Sequence, residues 1–426
     1  MILKRVVELD ILEKDFIKPT SSFLFLFGQK QIGKTTLLQE YTKNKENFFF
    51  SCIEILPQLL FEKFAEQIVK YYSIKKEKIE TFDAFLLFIN TIEFRKKTVI
   101  VFDDFHLLSK IQKTCLDIFF IRWSSCLKDK NIQIIFATSV HSSLKEEIFV
   151  YKKASETIFL KSFKYEAIKT VLPTIKNEEQ LKLFAIFGTN LHYLKQYNEQ
   201  KSFEENLKDI FFHKNNQIAK DAMQYLKEEL SETATYASIL RAIAEGKCKI
   251  GEIAQALEVK SSYLTRYLQK LTDMMIISKT VPINEAFEKS KFGRYHIEDN
   301  FLKFWFKSLC FNTHLINANA INIFLNHIQK ELKETLLPEA FKQHMTQAIE
   351  ENFETFFEYT PLKLGSWWNN KEKQIDLIAY NDSYITFIEI KYKASQNVQQ
   401  LHEELKTKSN HFETVLNKKF ALFSSN

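Results

Sequence analysis

The stretch FLFLFGQKQIGKTTLLQEY, residues 23–41, runs from an apolar segment through a glycine-bounded loop into a helical pattern. Phe23 to Phe27 are continuously apolar, as in a parallel strand covered on both faces. Gly28-Gln29-Lys30-Gln31-Ile32-Gly33-Lys34-Thr35 matches GxxxxGK[ST] in full, and Thr36-Leu37-Leu38 begins a helix. Each part has a physical task. The glycines let backbone N–H groups curl round phosphate oxygens, and the helix N-terminus adds partial positive charge. Lys34 is expected to reach the β- and γ-phosphates, and the Thr35 hydroxyl to bind Mg²⁺. Residues 28–36, Thr36 included, are therefore the expected cradle for ATP.

A second stretch, TVIVFDDFHLL (98–108), reads as a buried strand ending in two acids. Asp103 is the expected Mg²⁺ ligand, directly or through water. Asp104 stands where many such ATPases carry a Glu that polarises the attacking water. The shorter side chain predicts slow hydrolysis. Asp104 and Lys34 are the candidate catalytic residues. A further strand, IQIIFAT (132–138), ends at Thr138 and Ser139, which either sense the γ-phosphate or open a turn. ETIFL closes the sheet at about 157–160. Alternating strands and helices predict an α/β domain with a mostly parallel sheet and its ligand at the strands' C-terminal edge. Arg95 and Arg122 lie in this region, and nothing selects either as an arginine finger.

Beyond residue 165 helical periodicity takes over. FKYEAIKTVLPTI and NEEQLKLFAIFGTNLHYLKQY suggest a helical lid. ASILRAIAEGKCKIGEIAQALEVKSSYLTRYLQKLTDMMIISKTVP (237–282) has the rhythm of a winged helix-turn-helix. Ile253, Ala254 and Leu257 give one apolar face, and Ser261-Ser262 start the next helix. There Leu264, Leu268 and Leu271 share the buried face, while Tyr263, Arg266 and Lys270 share the opposite one. A basic outer face suits DNA, yet residues 236–280 hold only seven Lys/Arg against four Asp/Glu. DNA contact and a protein-interaction role both stay open. Phe301, Phe304 and Trp305 in YHIEDNFLKFWFKSL read as packed core rather than as a base-stacking platform.

Near the C-terminus, QIDLIAY and YITFIEIKYK read as paired strands joined by a turn at Asn381-Asp382. Asp376 and Glu389 then lie on adjacent strands, and Glu389 and Lys391 point to one face. The pattern suits a second Mg²⁺ or Mn²⁺ site for phosphodiester cleavage, and equally an exposed strand with alternating charge. Trp367 and Trp368 stand at the entrance to the first of these strands. The preceding helix, PEAFKQHMTQAIEENFETFF, offers Glu339, Glu350 and Glu351 as further ligands and singles out none.

The bulk figures agree with a multidomain protein. The chain has 426 residues, 45% hydrophobic and 26% charged, with 7 Gly and 6 Pro, which favours helices with short connections. A net charge of +6 permits nucleic acid without requiring it. The five Cys are scattered, which excludes a zinc-finger spacing and a disulfide framework. The charged start MILKRVVELD lacks a signal-peptide core and no apolar stretch spans a membrane, so a cytoplasmic home is expected.

In this order the segments resemble the archaeal-type P-loop ATPases, also found in bacteria, of the AAA+/STAND-like group. The resemblance rests on RVVEL (Arg5, Glu8, Leu9), GQKQIGKTTLL, VFDDF, FGTNLHYL, YHIEDNFLKFW, LGSWW, QIDLIA, IEIK and FALFS. It implies an ATPase domain over 1–164 with Arg5 and Glu8 near the adenine. It also implies a helical lid over 165–232, a winged helix over 233–290, a connector over 291–334, and a restriction-endonuclease-like domain over 335–426. The implied function is an ATP- and Mg²⁺-dependent switch acting on DNA through Tyr263, Arg266 and Lys270. The alternatives are an ATP-regulated metal-dependent nuclease and an ATP-binding protein that does not hydrolyse. Three departures stand out: Asp103-Asp104 for Asp-Glu, Lys30 and Gln31 inside the loop, and Phe341-Lys342 where the family carries Phe-Glu. Neither oligomeric state nor pathway is readable.

Overall fold

In the computed structural model, residues 5–75, 78–139, 156–213, 218–370, 373–393 and 397–425 are described. The charged start, residues 1–4, lies outside them. The chain divides into two compact units, one of residues 2–162 with 273–275 and one of residues 163–272 with 276–426.

The first unit is a five-stranded sheet in the order β2-β3-β4-β1-β5. Its strands are β1 Ser22–Gly28, β2 Asn47–Ser51, β3 Thr98–Asp103, β4 Ile132–Thr138 and β5 Glu156–Leu160. Every pairing is parallel. Helices α1 Val6–Phe16, α2 Lys34–Thr42, α3 Pro57–Tyr72, α4 Phe82–Thr91, α5 Phe105–Ile111 and α6 Cys115–Ser125 cover it. The apolar run of β1 serves both faces, because successive side chains of a strand point opposite ways. Phe23, Phe25 and Phe27 enter an aromatic core with Phe64 of α3, Phe85 of α4 and Phe119 of α6. Leu24 and Leu26 join Leu12 of α1 and Leu37 and Leu38 of α2 on the other face. Phe136 is central to the aromatic side, with ring centroids 5.2 Å from Phe25 and 5.4 Å from Phe102.

Strand β2, NFFFS, is an edge strand that the sequence reading passed over. Its alternation of buried Phe48 and Phe50 with half-buried neighbours suits an edge. Buried Gln133 on β4 ties two helices to the sheet. Its Nε2 donates to the carbonyl of Leu12 and to Asp15 Oδ2 (3.1 and 2.8 Å), and its Oε1 accepts from the Tyr41 hydroxyl at 2.7 Å.

The second unit begins with helices, among them Asn177–Phe187 and Phe203–Phe212. Thr233–Ala244, Ile250–Ala256 and Ser261–Asp273 follow, and then an antiparallel pair, β6 Ile277–Thr280 and β7 Arg294–Ile297. Leu264, Leu268 and Leu271 are buried, as their spacing predicts, and so are Phe301, Phe304 and Trp305. The C-terminal sheet runs β11-β10-β9-β8. Its strands are β8 Lys363–Trp368, β9 Gln374–Tyr380, β10 Tyr384–Tyr392 and β11 Asn417–Ser425. Strands β10 and β11 are parallel and the other pairs antiparallel. Two apolar clusters cover its two faces, one anchored by Leu405 of helix Val398–Ser409 and one by Ile349 of helix Leu337–Glu351.

Two expectations are corrected here. Trp367 and Trp368 do more than lead into the QIDLIAY strand; they end a further strand, β8, that pairs with it, and both are buried. The β9–β10 turn sits one residue later than expected. Asn381 N–H donates to the carbonyl of Tyr384, which leaves Asp382-Ser383 as the central pair. The Asn381 side chain accepts from the N–H groups of Ser383 and Tyr384 and fixes that choice. Among the described residues no helix is long and apolar enough to cross a membrane.

Candidate functional site

Strands β1, β3 and β4 run parallel and end at Gly28, Asp103 and Thr138, so these residues share one sheet edge. Gly28 leaves no room for a side chain. A Cβ there would lie 2.9 Å from Ile32 Cγ2 and 3.2 Å from the carbonyl oxygen of Leu160. Gly33 has φ +98°, in the range that favours glycine, and Gln31 adopts φ +64°. Lys30 and Gln31 are exposed at the top of the loop, with Gln29 and Ile32 half-buried beside them.

Lys34 opens α2 and is buried. Its Nζ donates to the carbonyls of Gly28 and Gln29 at 2.9 and 3.0 Å, so the ammonium lies across the mouth of the loop. The next residue, Thr35, donates through Oγ1 to Asp103 Oδ2 at 2.6 Å. Thr36 is exposed on the following turn. Asp103 Oδ1 accepts from the N–H of Asp104 at 3.1 Å. Asp104, at the N-cap position of α5, adopts φ +53° and makes no side-chain cap hydrogen bond. Partial desolvation and the charge of Asp103 raise its carboxyl above the ordinary value, against the pull of Lys34 and Lys30.

Three neighbours complete this edge. Arg5, also buried, donates to the carbonyls of Ile32 (2.9 Å) and Lys161 (2.8 Å) and contacts Glu8. It thus ties the phosphate-loop backbone to the chain just after β5. Ser139 Oγ and His106 Nδ1 lie 3.5 Å apart, both buried, and Thr138 Oγ1 donates to the Ser139 carbonyl at 3.0 Å. Sequence reasoning missed His106; its one signal was a ring nitrogen two residues past a pair of acids. Arg122 is held by Asp83 through Nε and Nη2 at 2.6 and 2.7 Å, and Arg95 is exposed.

On helix Ser261–Asp273 the expected outer face is partly engaged. Arg266 Nη2 lies 3.4 Å from both oxygens of Glu232 and also meets the Tyr267 hydroxyl. Tyr263, 43% exposed, shares a hydrogen bond with Tyr267, and Lys270 is half-buried.

The C-terminal sheet gathers a second set of charges. Asp376 and Glu389 are buried, with side chains only 4% and 5% exposed. Asp376 Oδ1 is paired with Lys342 of helix Leu337–Glu351, and Oδ2 accepts from the N–H of Ile390 at 2.8 Å. Glu389 Oε1 takes both Lys391 and Lys408, each at 2.8 Å, the latter from the helix on the opposite face. Glu389 Oε2 is buried without a hydrogen-bond partner. Burial would push the Lys391 ammonium down, yet its bond to Glu389 and the charges of Glu389, Asp376 and Glu404 raise it. Glu339 pairs with Lys303 and Glu351 with Lys164, so neither joins Asp376. Among the described residues no group of three or more His, Cys, Asp or Glu could hold a metal ion. Asp376 and Glu389 are each drawn to ammonium groups, from helices on opposite faces, and leave one oxygen unpartnered.

Comparison with known proteins agrees with the sheet-edge geometry. Residues 2–181 match the family described as an ATPase domain predominantly from Archaea, and residues 305–403 match archaeal and bacterial proteins of unknown function. An uncharacterized protein of Methanocaldococcus jannaschii is 28% identical over 418 residues, covering 96% of this chain and 92% of the other. The Walker-type ATPase of Pyrococcus abyssi superposes with a TM-score of 0.54 at 17% identity, over 72% of this chain and 96% of its own. The ORC1 protein of Aeropyrum pernix, solved in complex with DNA, gives 0.36 at 12% identity, over 76% of this chain and 95% of its own. Residues 2–181 are thus similar to an ATPase domain found predominantly in Archaea, on a parallel α/β sheet resembling that of P-loop ATPases, and residues 305–403 are similar to a segment of archaeal and bacterial proteins of unknown function.

Proposed function

We propose that the chain is an ATP- and Mg²⁺-dependent hydrolase that works as a nucleotide-driven switch on DNA. The observation that carries this reading is the meeting, at one sheet edge, of the glycine loop, Lys34 and the Thr35–Asp103 pair. Backbone amides of residues 28–36 cradle the phosphates. Lys34 exchanges carbonyl acceptors for anionic phosphate oxygens, so that both sides of the hydrogen bond carry charge. Thr35 Oγ1 and Asp103 Oδ2 already touch, so the two oxygens that would hold Mg²⁺ converge, and the residues fit the ion. Bound Mg²⁺ supplies charge neutralisation at the phosphates. Asp104 orients the attacking water, one methylene further back than a glutamate. Ser139 reads the γ-phosphate, and Arg5 holds the loop that contacts the nucleotide.

The output side belongs to the same proposal, as does the division into ATPase domain, lid (165–232), winged helix (233–290), connector (291–334) and C-terminal domain (335–426). Three consecutive helices followed by an antiparallel strand pair support the winged-helix reading, with Tyr263, Arg266 and Lys270 towards DNA. Asp104 in place of a longer acid favours one alternative, a protein that binds ATP with negligible turnover. Steady-state phosphate release with and without DNA, on wild type and Lys34→Ala, tests these readings. Saturable turnover that Lys34→Ala abolishes is the expected result. Binding without turnover would select the alternative, and an ATP analogue held equally tightly by Lys34→Ala would end the assignment of the site.

A further inference from the structure

Ser139 has a task in the proposed ATP site, whereas His106, buried against it, has none. The fold brings the two together from neighbouring strands. Strands β3 and β4 pair in parallel, with Phe102 beside Phe136, so the residues that follow each strand lie side by side. Helix α5 starts directly after Asp104, and Phe105 packs on Phe136 of β4 with ring centroids 4.5 Å apart. That contact holds the first turn of α5 beside β4. The next residue, His106, meets Ser139 just past the end of the strand. Thr138 Oγ1 donates to the Ser139 carbonyl at 3.0 Å and fixes the backbone there. His106 Nδ1 and Ser139 Oγ are 3.5 Å apart, and the two residues are only 8% and 4% exposed. A hydroxyl has one proton and two lone pairs. Where Nδ1 carries a proton it donates to Ser139 Oγ, and the Ser139 proton turns to another acceptor. Where Nδ1 is bare it takes the Ser139 proton for itself.

We infer that His106 is a positioning residue for Ser139: its Nδ1–H donates to Ser139 Oγ and turns the Ser139 proton onto the γ-phosphate, so that the site prefers a nucleoside triphosphate to a diphosphate. The inference rests on the proposed γ-phosphate role of Ser139. A phosphate oxygen is an anionic acceptor, and a hydrogen bond to it is stronger than one to a neutral ring nitrogen. The Ser139 proton therefore goes to the γ-phosphate when one is bound. Buried Oγ then calls for a donor of its own, since buried polar atoms are costly to leave unpaired. His106 supplies it, because a neutral imidazole carries its single proton on either nitrogen. At 3.5 Å the resting contact is long for a hydrogen bond, so little is lost when it rearranges. A diphosphate offers no acceptor at this position and leaves the resting contact as it is. His106 touches no phosphate in this scheme; it acts through Ser139.

The test is equilibrium binding of fluorescent ATP and ADP analogues, with Mg²⁺, to the full chain. The readout is the ratio of ATP to ADP affinity, which a merely structural role would not move. Ser139→Ala is expected to lower that ratio by about 10-fold, the worth of one hydrogen bond to a charged group. His106→Phe should lower it to a similar degree with ADP affinity unchanged, and His106→Leu repeats the test should the larger ring fail to fold. His106→Asn carries an amide close to the position of Nδ1 and is expected to restore the wild-type ratio. Combining Ser139→Ala with His106→Phe should lose no more than either alone, because the two residues act through one bond. A wild-type ratio in His106→Phe, where Ser139→Ala has lowered it, would overturn the inference and spare the role of Ser139. Losses that multiply in the double variant, or an Asn variant no better than Phe, would do the same. An unchanged ratio in Ser139→Ala would remove the role of Ser139 and the inference with it. Failure of wild type to bind either nucleotide would end the ATP site itself.

Discussion

The sheet edge of the first unit and the rim of the C-terminal sheet use the same two side-chain types in opposite ways. At the first, Lys34 donates to two backbone carbonyls, and Asp103 accepts from a hydroxyl and a backbone N–H. At the second, Asp376 and Glu389 are each closed by lysines. Neutral partners are exchanged at modest cost when a charged ligand arrives, because a net hydrogen bond to a charged group is worth about 1.5–3 kcal/mol. Paired buried charges resist exchange, since separating them leaves a desolvated ion. A lysine and an acid close in sequence thus say little about ligand chemistry until their partners are known.

Matched substitutions separate the two designs most sharply. Asp103→Asn is expected to lower ATP turnover by about 100-fold or more, as for other losses of electrostatic support at a developing charge. Its thermal midpoint should barely move, because the amide oxygen can still accept from the Asp104 N–H while the NH₂ donates to the Thr35 hydroxyl. Asp376→Asn should leave turnover intact and cost about 1–3 kcal/mol of stability, the range for a spoiled buried polar contact. Turnover kinetics and urea melts on both variants decide it; equal loss of turnover in both would erase the contrast. A comparable effect on stability is expected at the loop itself. Gly28→Ala places a methyl 3.2 Å from the Leu160 carbonyl and closer still to Ile32, an overpacking of about 1–3 kcal/mol. A melting curve unchanged from wild type would show that the loop has slack there.

Much of the first region was legible because its signals are local. A buried parallel strand writes itself as an apolar run, and a phosphate loop needs glycine at fixed offsets; both sit inside residues 23–36. Edge strand β2 was missed because an edge carries only a short, half-alternating pattern. His106 was missed because its contact with Ser139 depends on two strands lying side by side. The C-terminal rim shows the same limit. Glu389-x-Lys391 was visible, and Lys342 was conspicuous as a substitute for an acid. That Lys408 reaches Glu389 from the opposite face could not be read, because nothing near residue 408 marks it.

The smallest effect on stability concerns Asp104, where function and stability pull apart. Its carboxyl is raised above the ordinary value, chiefly by desolvation and then by Asp103. To orient and polarise water it must be ionised, so the acid limb of the pH–turnover profile should lie above the usual aspartate range, about pH 3.9. The stability sign is the reverse of a salt-bridged acid. A group whose folded value is raised contributes stability below its unfolded value, and loses it as pH climbs through the folded one. At neutral pH the charged Asp104 is therefore a mild liability to the fold. Asp104→Asn should raise neutral-pH stability by at most about a few tenths of a kcal/mol, given solvent screening at this exposed side chain, and the gain should vanish in acid. Turnover should collapse in the same variant. A variant that is less stable at neutral pH, or one that keeps its turnover, would remove Asp104 from the site and leave Asp103 as its one functional acid.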